Sequence, residues 1–535
     1  MIALVAVLGQ TGSADTRIPV PKVDWLAVGP EIALIAAATV LVLMAALNRG
    51  RRDLSGTYLD VGLAGVAAAG LVTWRLWTVV VHSGNPYQAL SGMVAVDGFS
   101  VFARVVILAA TALGLLVAQG YLRREQVEGP EYHALLLLSA SGMLLMTSAN
   151  DLIVVFLALE ILSIALYVLS AFDRNRLESG EAGLKYFVLG AFSSAVLLYG
   201  VAMVYGATGT TSLSGIAAFL AANTLFSSGL LLAGVALILV GLGFKVAAVP
   251  FHMWTPDVYQ GAPTPVTGFM AAGAKAAGFA ALLRVFVSGF GAYSVDWRPL
   301  VFILAVASLL VGGIVALVQQ DVKRMLAYSS ISHAGYVLIG VQAATKDGVA
   351  SALFYLLTYT FMVVGSFAVV TVVGGKGDRR HSLDDWRGLG ARAPLLAGAM
   401  TFLLLGQAGI PVTSGFVAKF TVFAASVDAR EYALTLVGVI TTVIAAFFYL
   451  RVIVMMYMSD PGEALSPAAA YAMAGAGAGG PGAAAAAEFG APAQSDYRLD
   501  PATALALGVA VLATLVMGVV PGAFIDFARH ATLLF

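Results

Sequence analysis

The sequence returns repeatedly to apolar runs long enough to cross a bilayer, such as residues 225–249, which contain LLLAGVALILVGLGF. A helix needs about 20 residues to cross a 30 Å hydrocarbon core. At that length the runs number fourteen: 26–47, 60–81, 97–118, 132–148, 151–171, 184–206, 225–249, 264–288, 300–318, 324–341, 349–374, 394–427, 431–457 and 502–527. With 60% hydrophobic and only 11% charged residues, a chain of 535 residues cannot be a soluble globular domain. The reading is an all-α polytopic membrane protein. Cysteine is absent, which excludes disulfides, thiolate-held clusters and cysteine nucleophiles within the chain.

Basic residues sort by loop parity. Fifteen Lys and Arg, from Arg49, Arg51 and Arg52 to Arg498, fall in loops after odd-numbered spans; six, among them Arg17, Lys22 and Arg298, fall in the tails or the other loops. Cytoplasmic loops carry the excess of Lys and Arg, so both termini are predicted on the outer side. The opening MIALVAVLG is too short to span and lacks a basic flank, and reads as a leader into the first span. Residues 463–496 are Ala/Gly/Pro low complexity without the branched residues of a core, and read as a cytoplasmic linker.

Charges within the apolar runs ask for a reason, since one near the bilayer centre costs about 3 kcal/mol. Glu160 is nine residues past Asp151, about 14 Å deep at 1.5 Å per residue. Lys275 lies at similar depth among Ala and Gly, eleven residues past Thr264. Both read as functional, the alternative being a structural internal pair. Lys185 begins its span, where a snorkelling anchor and a functional group are equally open readings. Arg75, Arg104, Arg284 and Arg451 read as structural pairs or anchors. His333, with Ser329, Ser330 and Ser332 beside it, is either a proton relay or a satisfied core histidine.

Lys245 would reach the far surface on an unbroken helix from Leu225. Yet apolar character continues past Pro250, and Gly241 and Gly243 weaken the helix just before the lysine. A broken helix would hold Lys245 near the midplane. The construction recurs at 394–427, where Gly406, Gly409 and Pro411 precede Lys419. Interrupted helices at matching positions of two halves mark an ion or substrate pathway in transporter-like folds.

Lysine and glutamate suit proton movement. Low dielectric favours neutral lysine and a nearby carboxylate favours the charged form, so moving the carboxylate loads or unloads a proton. Glu160 is the expected partner of Lys245, Lys275 the lateral acceptor and Lys419 the terminal. Against 100 mV each proton costs about 2.3 kcal/mol. The chain shows no P-loop, haem or flavin motif, so the energy must come from a partner.

The runs NDLIVVFLALEILSIALYVLSAF, LKYFVLGAFSS, FKVAAVPFHMWTPDVYQGAPTPVTGFMA, KRMLAYSSISHAGY and GIPVTSGFVAKF resemble the antiporter-like membrane subunits of respiratory complex I, and most narrowly its subunit N branch. The similarity runs from span 2 to span 13. It implies about fourteen transmembrane helices with two inverted five-helix repeats, spans 4–8 and 9–13, and discontinuous helices 7 and 12. The chain then divides into a leader (1–25), spans 1–3 (26–131), the two repeats (132–288 and 289–457), the linker (458–501) and a last span with its tail (502–535). Glu160, Lys245, Lys275 and Lys419 match the family's proton-path residues, and Lys185 the lysine of its LKYF motif. Members often carry two prolines before the twelfth-helix lysine, whereas Val412 and Thr413 follow Pro411 here, so a softer break is expected.

The resemblance further implies proton translocation in a bacterial inner membrane. NADH, FMN, iron–sulfur clusters and quinone would lie on other subunits, with no cofactor or metal in this chain. Its Ala and Gly content suggests a GC-rich genome and hence menaquinone. Partners would be subunit M, the small subunits K, J and A, and the lipid bilayer, with no nucleic acid. A multisubunit cation/proton antiporter and an inert scaffold are the competing readings.

Overall fold

The computed structural model describes residues 23–47, 54–83, 86–223, 228–458, 497–531 and 533. The linker 463–496 and most of the leader lie outside these. The described chain is a bundle of helices, because a backbone in lipid must satisfy its N–H and C=O groups internally. In order they are α1 (Gly29–Leu47), α2 (Ser55–Ser83), α3 (Gly98–Glu125), α4 (Pro130–Ser148), α5 (Leu152–Ser170), α6 (Leu177–Thr208), α7 (Gly229–Val246) and α8 (Trp254–Gly261). Then follow α9 (Thr264–Gly289), α10 (Ser294–Leu317), α11 (Val322–Ala343), α12 (Lys346–Gly374), α13 (Pro394–Ala408), α14 (Ser414–Asp428), α15 (Tyr432–Met458), α16 (Pro501–Val519) and α17 (Gly522–His530). Short helices such as Leu213–Ala222 connect some of them.

Eleven of the described helices are long and apolar enough to cross a membrane. Three of the expected spans fall outside that measure. Those at 132–148 and 324–341 form α4 and α11, which carry Glu131 and His133, and Lys323, Arg324 and His333. That at 394–427 is cut into α13 and α14. The expected span 502–527 also divides, at Pro521. One small feature departs from an all-α chain: strands β1 (Tyr87–Ala89) and β2 (Val94–Val96) form an antiparallel hairpin. Gly92, at φ 88°, makes its turn, and the Asn150 side-chain amide donates to the Gly92 carbonyl at 2.9 Å.

Small residues set how closely the helices approach. A Cβ on Gly312 of α10 would stand 2.5 Å from the Ser332 backbone nitrogen of α11, so this contact tolerates only glycine. It seats α11, which carries His333, against α10.

A construction occurs twice. Asp151 caps α5 and bridges Ser212, while Asp321 caps α11 and bridges Ser382; each pair is 61 residues apart. Both bridges are flanked by matching backbone bonds, Leu152 N to Thr211 O with Leu213 N to Asn150 O, and Val322 N to His381 O with Leu383 N to Gln320 O. Helix α9 runs from one bridge to the other. Near its start, Thr264 donates to Asp378 at 2.8 Å beside the second bridge; near its end, Arg284 bonds Asp97 at 2.8 Å and the Thr147 carbonyl at 3.2 Å, beside the first.

Asp378 ties the two halves at one end. Its carboxylate, fully enclosed, meets Arg176 at 2.9 Å, Lys323 at 3.3 Å and His381 at 3.0 Å. Burial alone would push this carboxyl up, but Lys323, His381 and Arg176 outweigh it and hold the group well below the usual carboxylate range. Loops rich in basic residues gather here: Arg123 reaches Asp500 at 3.3 Å, and Arg124 reaches the Thr371 carbonyl at 2.8 Å.

Candidate functional site

Helix α7 stops at Val246 because Ala247 takes a left-handed conformation, φ 62°, and the helix resumes at Trp254. Groups freed by the break are satisfied locally. Ala248 N donates to Gly243 O at 2.8 Å, Trp254 Nε1 to Phe244 O at 2.9 Å, and Val249 N to Ser308 Oγ at 2.9 Å. Lys245 therefore sits in the last turn of α7, where the carbonyl end of a helix favours a cation. Only 3% of it is exposed. Its ammonium donates to Ser163 Oγ at 2.9 Å and Tyr186 Oη at 3.1 Å.

Glu160 lies one turn before Ser163 on α5, half-buried, with Oε1 enclosed and lacking a hydrogen-bond partner among the described residues. No ion pair joins it to Lys245 among those residues. The two hydroxyls already satisfy the ammonium, and Glu160 turns partly outward with the exposed Leu157 and Ile161. Lys185 is not in the interior: its half-exposed side chain pairs with Glu181 at 2.8 Å and with Asp257 at 2.9 Å. Asp257 also meets Arg324 at 2.7 Å, forming a surface cluster.

Lys275 follows a π-helical turn, Met270–Ala274, within α9, a distortion common at functional positions. Its buried ammonium donates to the Ser330 carbonyl of α11. One turn further along α9, Gly278 lets the end of α7 approach: a Cβ there would come 2.9 Å from Val246 Cγ1, with Lys245 Cγ beside it at 3.4 Å. Beyond Ser330 the polar row continues. Tyr359 donates to Ser330 Oγ at 2.8 Å, and His333 meets Tyr355 Oη at 2.7 Å through Nδ1 and Tyr449 Oη at 3.1 Å through Nε2. Tyr449 also bonds Ser329 and donates to Gln407 at 3.3 Å.

The second break spans Gly409 to Thr413 and is no softer than the first. Gly409 (φ 86°) closes α13, and Val412 stands at φ 75°, a conformation costly for a β-branched residue. Gly518 backs this turn; a Cβ on it would lie 2.3 Å from the Val412 carbonyl oxygen. Past the break, buried Lys419 donates to the Ala408 carbonyl at 2.9 Å, the open end of α13, and lies 4.6 Å from the Tyr336 ring centre. Tyr336 in turn stacks on Tyr355, the His333 partner.

Lys245, Lys275, His333 and Lys419 thus lie along one buried row through both breaks, with Glu160 at its margin and Lys185 outside it. Arg104 pairs with Glu31 at 2.7 Å and Arg284 with Asp97, both buried, while Arg451 donates to the Leu317 carbonyl at 3.0 Å. The partners Ser163, Tyr186, Tyr336, Tyr355, Tyr449 and Gln407 were not foreseen. Only Ser163 carries a sequence signal, its one-turn spacing from Glu160 on α5.

Residues 149–445 match the family described as "NADH:quinone oxidoreductase/Mrp antiporter, TM". A NADH-quinone oxidoreductase subunit N of Trichlorobacter lovleyi is 41% identical over 505 residues, covering 94% of this chain and 96% of that protein. A chain of respiratory complex I from Thermus thermophilus superposes with a TM-score of 0.72 at 31% identity, covering 94% of this chain and 99% of that one. A chain of the Mrp complex of a Dietzia species has a TM-score of 0.78 at 22% identity, covering 95% and 97%, a likeness of fold alone.

Proposed function

Because this chain belongs to the NADH:quinone oxidoreductase/Mrp antiporter family, and within it to the subunits N of NADH-quinone oxidoreductase, we propose that it translocates protons in the membrane arm of that complex. Electron transfer from NADH through FMN and iron–sulfur clusters to menaquinone takes place on other subunits. The observation that carries this reading is the row of three buried ammonium groups, Lys245, Lys275 and Lys419, each held by uncharged acceptors. A hydroxyl accepts from an ammonium and donates to a neutral amine, so Ser163 and Tyr186 can hold Lys245 in either protonation state. Protons pass from Lys245 to Lys275 and on past Ser330 and His333 to Lys419, with Glu160 biasing the first lysine.

The Glu160 carboxylate, only half-buried at membrane depth, supports a neighbouring membrane-arm subunit on the α5 face. Subunit M on one side and the small subunits K, J and A on the other are the proposed neighbours, in a bacterial inner membrane with both termini outward. The paired bridges at opposite ends of α9 support two inverted repeats at 132–288 and 289–457.

The test is NADH-driven proton uptake, with NADH-quinone electron transfer measured alongside, in inverted vesicles carrying Lys245→Ala in an intact complex. Loss of uptake with the complex assembled is the expected outcome. A normal proton-to-electron ratio would remove Lys245 from the path.

A further inference from the structure

A cavity of about 500 Å³ opens at the basic end of the bundle, away from the lysine row, between the last turns of α3 and α12 and the start of α16. Among the described residues its wall carries Arg123, Arg124, Lys376, Arg380 and Arg498, with the carboxylate of Asp500. Local acids answer part of this charge. Arg123 meets Asp500 at 3.3 Å and Glu128 at 3.8 Å, and Arg124 Nε meets Glu125 at 2.8 Å. Glu125 also accepts from Gly377 N at 2.8 Å. Lys376 and Arg380 have no ion pair among the described residues.

Two residues of the wall hold donors in surplus. Arg124 Nη2 and Tyr497 Oη are enclosed and find no acceptor among the described residues. The backbone is shaped to keep one cation there. Gly375 stands at φ 63° and ψ −166°, a region open essentially to glycine alone, and a Cβ on it would lie 2.7 Å from Arg380 Nη2. The loop therefore folds so that the Arg380 guanidinium rests against it.

We propose that this cavity binds the phosphate of an anionic phospholipid headgroup. Cations and hydrogen-bond donors outnumber the acids beside them, Asp500, Glu128 and Glu125, which suits a phosphodiester, and the volume falls within the range of ligand sites. The walls are the ends of three membrane helices, and a tyrosine stands beside them as aromatic residues do at headgroup level. Basic pockets between transmembrane helices on the cytoplasmic side take such headgroups. The site lies off the proton row, so occupancy would act on packing of α3, α12 and α16 rather than on proton transfer.

The experiment uses the whole complex carrying this chain as wild type, as Lys376→Gln, or as Arg124→Gln with Arg380→Gln. Delipidated complex in neutral detergent is titrated with phosphatidylglycerol, or with phosphatidylcholine as the uncharged counterpart, and bound lipid is counted by native mass spectrometry. Wild type should retain one phosphatidylglycerol that the double variant lacks. Lys376→Gln, an exposed substitution that leaves the fold alone, should weaken this lipid about fivefold, the worth of one basic side chain at an anionic surface. Phosphatidylcholine should not distinguish the three. Equal phosphatidylglycerol counts in all three would overturn the site. Displacement by millimolar inorganic phosphate would overturn the lipid assignment and leave a free-anion site.

Discussion

The two broken helices solve one problem with different chemistry. Each ends a helix at a left-handed residue and buries a lysine beside the open carbonyls, yet Lys245 bonds two side-chain hydroxyls from α5 and α6, whereas Lys419 bonds a carbonyl of its own interrupted helix. Hydroxyls rotate and serve as donor or acceptor; a carbonyl only accepts. Both ammonium groups also stand over a tyrosine ring, Lys245 5.4 Å from the centre of Tyr186 and Lys419 4.6 Å from that of Tyr336. A carboxylate stands one turn from the Lys245 contact, while around Lys419 the nearest titratable neighbours on the row are His333 and its tyrosines. Similar backbones thus carry unequal sets of partners: side-chain hydroxyls around the first lysine, a backbone carbonyl at the second.

The sharpest way to break this comparison is to remove the second lysine. Lys419→Ala should abolish most proton uptake in inverted vesicles, as Lys245→Ala should, while Glu160→Ala should reduce it with the complex still assembled. If Lys419→Ala pumped normally while Lys245→Ala did not, only the first half would conduct. Lys275→Ala should be milder than either, because water can stand where a lateral lysine stood.

The next test asks whether the two halves act as one body. Asp378 gathers Arg176 and Thr264 from the first half with Lys323 and His381 from the second. Asp378→Asn keeps the shape and leaves the Arg176 and Lys323 cations around a neutral amide. Removing one partner of a buried ion cluster costs about 3–5 kcal/mol. The yield of assembled complex and its resistance to heat in mild detergent should both fall. Unchanged values would mean that packing of α9 against α12 holds the halves together without the carboxylate.

Asp378 also shows where the sequence was opaque. It sits in GGKGDRRHSLDDWRG, a polar loop that reads as solvated, and nothing in that string says that the chain folds back to enclose it. The bilayer makes the rest easier: apolar runs must become helices, so the long helices were legible, but not the short helices Leu213–Ala222 and α8, the cut at Pro521 or the hairpin at 87–96. Glycine and proline marked both breaks, and the cost of burying charge singled out Lys245, Lys275 and Lys419. Lys185 was ambiguous because a lysine near a helix start can turn either way; here Glu181 and Asp257 hold it outward. The distance between Glu160 and its expected partner Lys245 could not be read from sequence, because neutral hydroxyls on neighbouring helices satisfy the ammonium. Tyrosines in apolar runs read as bulk, and their hydroxyls declare a role only when the helices meet.

That last point yields the smallest and most discriminating test. Tyr186→Phe removes one of the two acceptors of Lys245 and keeps the ring, which stacks on Trp254 at 4.6 Å between centres and so preserves the packing of α6 on α8. A hydrogen bond to a charged group is worth about 1.5–3 kcal/mol. Its loss should disfavour charged Lys245 and slow uptake severalfold with assembly unchanged. The corresponding change in the second half, Tyr336→Phe, keeps the ring face that meets Lys419 and should leave uptake nearly as it was. If both substitutions slowed pumping alike, the hydroxyl would matter in each half and the two lysines would be chemically equivalent; if neither did, Ser163 alone would suffice to hold Lys245.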